Sequence, residues 1–332
     1  YNLGVVKKYN GSFDSAIYYL EKTLAADRLE YGVEDIRLSD HYSGLAAVYT
    51  DMGFALKAQQ YYDSAVHLHV LHDKADHPYI ATTYVNLGIN LAKLGKYQEG
   101  IAHLFTALEV LKKYYPPGHF SIWGTYDQIS SFYYKAGNYD QARKYAYMGL
   151  RYADNLSEKP GLSAARHYNL LGAIYQAEAK YDSALLFLKK SEALLQETGN
   201  QELMIAIQNN KLISLLGTNQ VEAGLQVFET LHATLAPQRN KRFKTLTRIN
   251  LTVGKHFLEQ GEYQKAMKHV DEAIAVNLYR QDGKPQLTEH FIDAYQMIYS
   301  LSLKANILAG MGELDHLTEA VDIFGLCSEL IG

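Results

Sequence analysis

Four histidines fall within eleven residues in the stretch HLHVLHDKADH, at His67, His69, His72 and His77. Imidazole nitrogens are ready ligands for zinc and related ions. His69 and His72 are three apart, so a helix would place them on one face, and Asp73 or His77 could supply a further ligand. A metal site needs three or four such groups held together, and helical spacing alone unites only two. Histidines on the outer surface of a helix are the simpler reading, and no metal is expected. The lone thiol, Cys327, would be a nucleophile only beside a base and open to solvent. Nothing in the sequence supplies that base, and Cys327 falls where related segments carry the small residues Ala107 and Ala273, so it is expected to be a buried, inert thiol. The run PQRNKRFKTLTR carries Arg239, Lys241, Arg242, Lys244 and Arg248 around Phe243 and could meet phosphate or an acidic partner. A solvated loop and helix start, or a hinge, explains it equally well, and no nucleic acid is expected.

The motifs of cofactor and nucleotide chemistry are missing. There is no GxxxxGK[ST] loop, no GxGxxG after a strand and no HExxH. The sequence therefore points to no catalytic residue, no cofactor and no enzyme activity of its own, although a catalytic domain could adjoin it. Apolar residues make up 48% of the 332 positions, enough for a large core, and the net charge of −4 exerts no general pull toward nucleic acid or an acidic membrane. Six prolines in so long a chain favour long helices. No apolar run is long enough to span a membrane. A single cysteine cannot form an internal disulfide, which leans toward the cytoplasm. Tyr1 falls within a helical pattern, so the chain reads as trimmed from something longer.

The elements that would position any site follow from a repeat. Leu87-Gly88 has counterparts every 42 residues: Leu3-Gly4, Leu45-Ala46, Ile129-Ser130 and Leu171-Gly172. A tyrosine sits three before the anchor at Tyr42, Tyr84, Tyr126 and Tyr168. A small residue lies eight after it, at Gly11, Gly53, Gly95, Gly137 and Ala179, and another thirteen after it, at Ala16, Ala58, Gly100, Ala142 and Ala184. The pattern returns at Val253-Gly254 with Gly261 and Ala266, and a blurred unit must lie between. A last unit fits if three residues are inserted after Gly312. Apolar spacings of three and four make each unit helix, turn, helix. Gly88, which costs about 1 kcal/mol of helix propensity, is then expected where two helices cross closely. The tyrosines before the anchors are expected to pack between units, with the hydroxyl at an edge.

This pattern resembles the tetratricopeptide repeat (TPR) family, in a long form like the repeats of kinesin light chain and of many bacterial signalling proteins. The period exceeds the family's usual length of about 34 residues, and proline sits just before a unit, in HPYIATTY and PPGHFSIWGTY, rather than near its end. The resemblance implies an all-α fold: a right-handed superhelical solenoid of about eight helix–turn–helix repeats. It would form one domain over 1–332, with five regular repeats in 1–200, a degenerate repeat in 201–245 and two final repeats in 246–332.

In the family the first helix of each pair lines a concave groove, and groove asparagines hold the backbone of extended peptides. That resemblance implies a protein or peptide ligand contacting Asn2, Tyr9, Asn86, Lys93, Asp127, Gln128, Tyr134, Lys135, Asn169 and Gln176. Asn2 and Asn86 match the asparagine position, with Gln128 as a substitute; Gly44 and Leu170 stand there in two other units. The stretch LSLKANILAGMGELDHLTEAVDIFGLCSELI also resembles the last repeat before the caspase-like CHAT domain of bacterial TPR–CHAT proteins. The implied function is a non-catalytic scaffold or sensor of a signalling or protease-linked bacterial protein, with an adjoining domain as a further partner. The alternative is a receptor like the TPR peptide-pheromone regulators, acting on a transcription or phosphorelay effector.

Overall fold

A computed structural model describes residues 1–72, 77–154, 161–195, 199–278, 294–312 and 314–331, with side chains at 154, 239–241, 277–278, 294–295, 314 and 324–331 excepted. The described residues are all-α, without a strand. Among the described residues sixteen α-helices fall into eight pairs: α1 (Asn2–Tyr9) with α2 (Phe13–Tyr31), α3 (Leu38–Asp51) with α4 (Ala55–Leu71), α5 (Pro78–Lys93) with α6 (Tyr97–Tyr114), and α7 (Phe120–Lys135) with α8 (Tyr139–Asp154). Then come α9 (Gly161–Ala177) with α10 (Tyr181–Leu195), α11 (Gln201–Gly217) with α12 (Val221–Leu235), α13 (Arg239–Glu259) with α14 (Tyr263–Leu278), and α15 (Ala294–Met311) with α16 (Leu314–Ile331). The blurred segment expected after residue 200 is thus a complete helix pair.

Each turn within a pair has one left-handed residue: Gly11, Gly53, Gly95, Gly137, Ala179, Asn219, Gly261 or Gly312, with φ between 57° and 87°. In the first seven turns the residue after it donates its N–H five positions back, as in Lys96 to Leu91, Asn138 to Tyr133 and Glu262 to Phe257, each at 2.9 Å. This six-residue loop closes the first helix and needs a left-handed residue at its tip. Glycine adopts that conformation without strain, whereas Ala179 does so against its own Cβ. Helix α16 starts at Leu314, two positions after Gly312, the same offset at which α6 follows Gly95. The three residues expected as an insertion after Gly312 therefore fall within α16, where the buried small residue, Ala320, comes nearly one helical turn later than its counterparts.

The anchors place the two helices of a pair almost backbone to backbone. A Cβ on Gly88 would lie 3.0 Å from the Gly100 carbonyl oxygen, and one on Gly100 would lie 2.8 Å from that of Gly88. Gly4 over Ala16 and Gly254 over Ala266 repeat the approach, both at 3.3 Å from the carbonyl. In the α7–α8 pair Ser130 donates its hydroxyl to the Ala142 carbonyl at 2.7 Å. In four pairs a ring from the first helix stacks on one from the second: Tyr49 on Tyr61, Tyr133 on Tyr145, Tyr175 on Phe187 and Phe257 on His269, with interplanar angles of 2°, 6°, 4° and 18°. Tyr42, Tyr84 and Tyr126 are buried and Tyr168 is half-buried; Arg28 donates to the Tyr42 hydroxyl, whereas the Tyr126 hydroxyl, expected at an edge, is buried.

The chain forms two compact units. Tyr1–Ile174 and Leu194–Thr198 make the first; Tyr175–Ala193 and Gly199–Gly332 make the second. The first has its core around Leu20, Leu45 and Leu68, and around Leu104, Ile122, Tyr126 and Ile129. The second is organised on Leu212, Phe228, Ile249, Val253, Val270 and Ile307.

Three outcomes follow from this packing. Gly88→Leu forces a branched side chain against the Gly100 backbone and lowers unfolding stability by about 1–3 kcal/mol, read in a thermal melt; an unchanged midpoint would remove Gly88 from a close crossing. Ala179→Gly relieves the left-handed strain and stabilises the chain by up to about 1 kcal/mol. Burial holds the imidazoles of His69, His103 and His269 below the usual histidine range. The unfolded chain therefore takes up protons first as pH falls below about 6.5, and stability drops through that window. Urea midpoints at pH 7.5 and pH 5 measure the drop, and His103→Phe makes it smaller.

Candidate binding face

The first helices carry the sequence-predicted positions: Asn2 and Tyr9 on α1, Asn86 and Lys93 on α5, Asp127, Gln128, Tyr134 and Lys135 on α7, and Asn169 and Gln176 on α9. They do not all remain open to a ligand. Lys93 donates its ammonium to the Thr50 carbonyl of α3 at 2.6 Å. Gln176 reaches Ser214 of α11 at 3.5 Å within the second unit. Lys8, one residue before Tyr9, pairs with Asp51 at 3.1 Å. These belong to a series of polar links between successive first helices. Ser43 meets Thr83 at 3.0 Å, Thr50 donates to Asn90 at 3.0 Å, and Arg242 forks onto Glu202. Asn90 is fully buried and also donates to the Ala55 carbonyl at 2.9 Å, so it belongs to the fold.

Other positions keep their polar ends. Asn86 and Gln128 are half-buried on neighbouring first helices of the first unit, and among the described residues no group of the fold engages either amide. Asn2 is exposed, and Tyr9 is 80% exposed beside the Lys8 ammonium. Lys135 is exposed, while Tyr134 and Asn169 are half-buried and take part in contacts within the fold. Asp127 is half-buried, and burial pushes its carboxyl above the usual carboxylate range while His167 and Arg166 of α9 pull it back. His167 is fully buried, with Nδ1 donating to the Ser163 carbonyl at 2.9 Å. Gly149 of α8 makes room for that ring, since a Cβ there would lie 2.0 Å from Nε2.

Sequence reasoning missed a cavity of about 440 Å³ in the second unit. Tyr181 and residues of α11, α13 and α15 line it. Leu216 and Leu251 form an apolar floor; Arg248, Lys255, Glu259 and Tyr299 stand around it. A Cβ on Gly217 would meet the Tyr181 ring at 2.6 Å, so the missing side chain lets the tyrosine lie flat against α11 as a wall. The available signal was the stripe Arg248, Thr252, Lys255 and Glu259, spaced four, three and four along one helix face.

The histidine stretch disperses. His67 is exposed, His69 is buried, His72 donates to the Glu34 carbonyl at 2.6 Å, and the His77 ring accepts the Tyr79 N–H as the cap of α5, ahead of Pro78 in the first turn. Asp73 lies outside the described residues, as do the side chains of Arg239, Lys241 and Cys327. In the basic run, Arg242 holds Glu202, Phe243 packs on the core and Arg248 faces the cavity. No group of metal-binding side chains converges among the described residues, and none of their helices is long and apolar enough to cross a membrane.

The helix pairs have known counterparts. The tetratricopeptide repeat model matches residues 37–113 and 121–197. No curated protein matches the sequence. Among solved structures, BtubC (BKLC) of P. vanneervenii is 21% identical, with a TM-score of 0.54 over 60% of this chain and 79% of that one. Repeats of a putative kinesin light chain of Podosopora anserina are 18% identical, with a TM-score of 0.51 over 61% and 97%. Aspartyl phosphate phosphatase F of Bacillus subtilis is 17% identical, with a TM-score of 0.66 over 86% and 71%. Residues 37–113 and 121–197 thus match tetratricopeptide repeats, and the helix pairs on both sides of them continue their pattern.

Proposed function

We propose that this protein is a non-catalytic scaffold that holds an extended segment of a partner protein against its first helices. One observation carries the reading: Asn86 and Gln128, half-buried at equivalent positions of α5 and α7, are engaged by no group of the fold among the described residues. A partly desolvated amide gains most from a partner that supplies both a donor and an acceptor, and a peptide backbone does so. Asp127 beside Gln128 and Asn2 on α1 extend the polar face. Lys93 and Gln176 help set the spacing of the repeats through their links to Thr50 and Ser214. The finer reading, a sensor arm of a protease-linked bacterial signalling protein, rests on the resemblance of residues 301–331 to repeats that precede caspase-like domains.

A second reading, a peptide receptor acting on a phosphorelay protein, draws on the fold likeness to aspartyl phosphate phosphatase F across 86% of this chain. A stable complex with a purified response regulator of the source organism would select it.

The test is capture from a lysate of the source organism on the whole chain and on the double variant Asn86→Ala/Gln128→Ala. The variant is expected to keep its melting midpoint and to lose a protein that the wild-type chain holds, with affinity lower by about tenfold or more, as expected when a buried hydrogen-bonded contact is removed. Equal retention by both would take Asn86 and Gln128 out of the site.

A further inference from the structure

The joints between the first four helix pairs carry exposed apolar side chains along one edge of the first unit. At the α2–α3 joint Leu29 is 91% exposed and Val33 is 67% exposed. At the α4–α5 joint Val70 and Leu71 are exposed, and Tyr79 is 73% exposed. At the α6–α7 joint Tyr114 and Phe120 are exposed. Leu29 and Leu71 hold the same place in successive repeats. The joints adjoin one another. The His72 ring reaches the Glu34 carbonyl at 2.6 Å, and the His77 ring lies 6.4 Å from that of Tyr114 and 4.8 Å from that of Tyr79. A large aromatic side chain can bury about 150–250 Å², so these side chains together approach the roughly 800 Å² that one partner brings to a standard interface. A monomer rarely leaves so large an apolar patch open.

We propose that this edge pairs with the same edge of a second copy of the chain, the two running antiparallel about a twofold axis near Leu71 and Tyr79. The pairing goes beyond the scaffold reading and uses other residues. Charge selects both the occupant and the direction. Around the α2–α3 joint, Arg28 and Arg37 against Glu30, Glu34 and Asp35 leave a net charge of −1, whereas Lys112 and Lys113 give the α6–α7 joint +2. Lys112 lies over the Tyr126 and Tyr152 rings and Lys113 over that of Tyr114, so the sign of each end acts and no single ion pair is required. In a twofold pair the same patch serves on both copies. Run antiparallel, Leu29 and Val33 face Tyr114 and Phe120 of the second copy, opposite charges meet at both ends, and the apolar middle closes on itself. Run parallel, like charges would meet at both ends. Asn86 and Gln128 each lie eight residues into α5 and α7, about 12 Å along the helix from this edge, so the pair leaves the amides of both copies available.

The test is sedimentation velocity of the whole chain over a range of concentrations, beside Leu71→Lys, Glu30→Lys/Glu34→Lys, Lys112→Glu/Lys113→Glu and Asn86→Ala/Gln128→Ala. Circular dichroism first shows each variant to be folded; Leu71→Lys, at an exposed site, keeps the test decisive if the double lysine variant folds less well. The wild-type chain is expected to dimerise as concentration rises. Leu71→Lys brings two ammonium groups together at the axis and raises the dimer dissociation constant about tenfold or more. Each charge variant alone weakens the dimer as well. An equimolar mixture of the two restores it, because both ends of the mixed pair again carry opposite signs. The Asn86/Gln128 variant dimerises as the wild type does, so this result and the partner capture stand or fall separately. A chain that stays monomeric, a dimer indifferent to Leu71→Lys, or a mixture no stronger than its components overturns the proposal. A monomer that floats with phosphatidylcholine vesicles, or holds a lysate protein, and loses either with Leu71→Lys would make a lipid surface or a foreign protein the occupant and overturn the second copy.

Discussion

The structure depends on one close approach, the crossing of two helix backbones at the anchors of the α1–α2, α5–α6 and α13–α14 pairs. Gly88 and Gly100 leave no space between their chains for a methyl group, and Gly4 over Ala16 and Gly254 over Ala266 repeat the arrangement. Interior packing is dense enough that one added carbon must displace something. In other pairs Tyr49–Tyr61, Tyr133–Tyr145 and Tyr175–Phe187 stack nearly parallel rings between the two helices. The left-handed residue of the turn sets the chain reversal that makes the crossing possible.

A second constraint operates between successive pairs. First helices are tied to one another by polar groups about forty residues apart, such as Lys8 with Asp51 and Thr50 with Asn90. Buried members such as Asn90 satisfy their hydrogen bonds inside the fold, so they confer register without leaving a desolvated group unpaired. The first-helix face is consequently mixed. Some polar residues hold neighbours in place, and others, Asn86 and Gln128 among them, keep their amides available.

That difference explains which residues were legible in advance. The anchors, turns and the tyrosines Tyr42, Tyr84 and Tyr126 were readable because they recur at a fixed spacing, and a local constraint repeated many times leaves a periodic trace. The pair α11–α12 was blurred because its turn uses Asn219 and its first helix has Leu212-Ile213 where others place a small residue. The three residues inserted after Gly312 were readable as a shift of register, and the structure places them within α16, where Ala320 takes the buried small position. Lys93 looked like a groove residue from its place in the repeat, and only the position of the Thr50 carbonyl revealed its other use.

The sequence by itself determined that the chain is a series of helix pairs, where each turn falls and which small residues stand at the crossings, because backbone conformation and helical periodicity are local properties. It also excluded the nucleotide-loop and zinc-protease motifs, since those depend on short contiguous patterns. The tertiary structure alone decided which polar residues are consumed between repeats, which rings stack, and that Tyr181, Gly217, Leu251 and Arg248 meet around one cavity. Those residues come from four helices, and their encounter depends on the distance and angle between helices far apart in sequence. No periodicity in a single helix encodes that geometry.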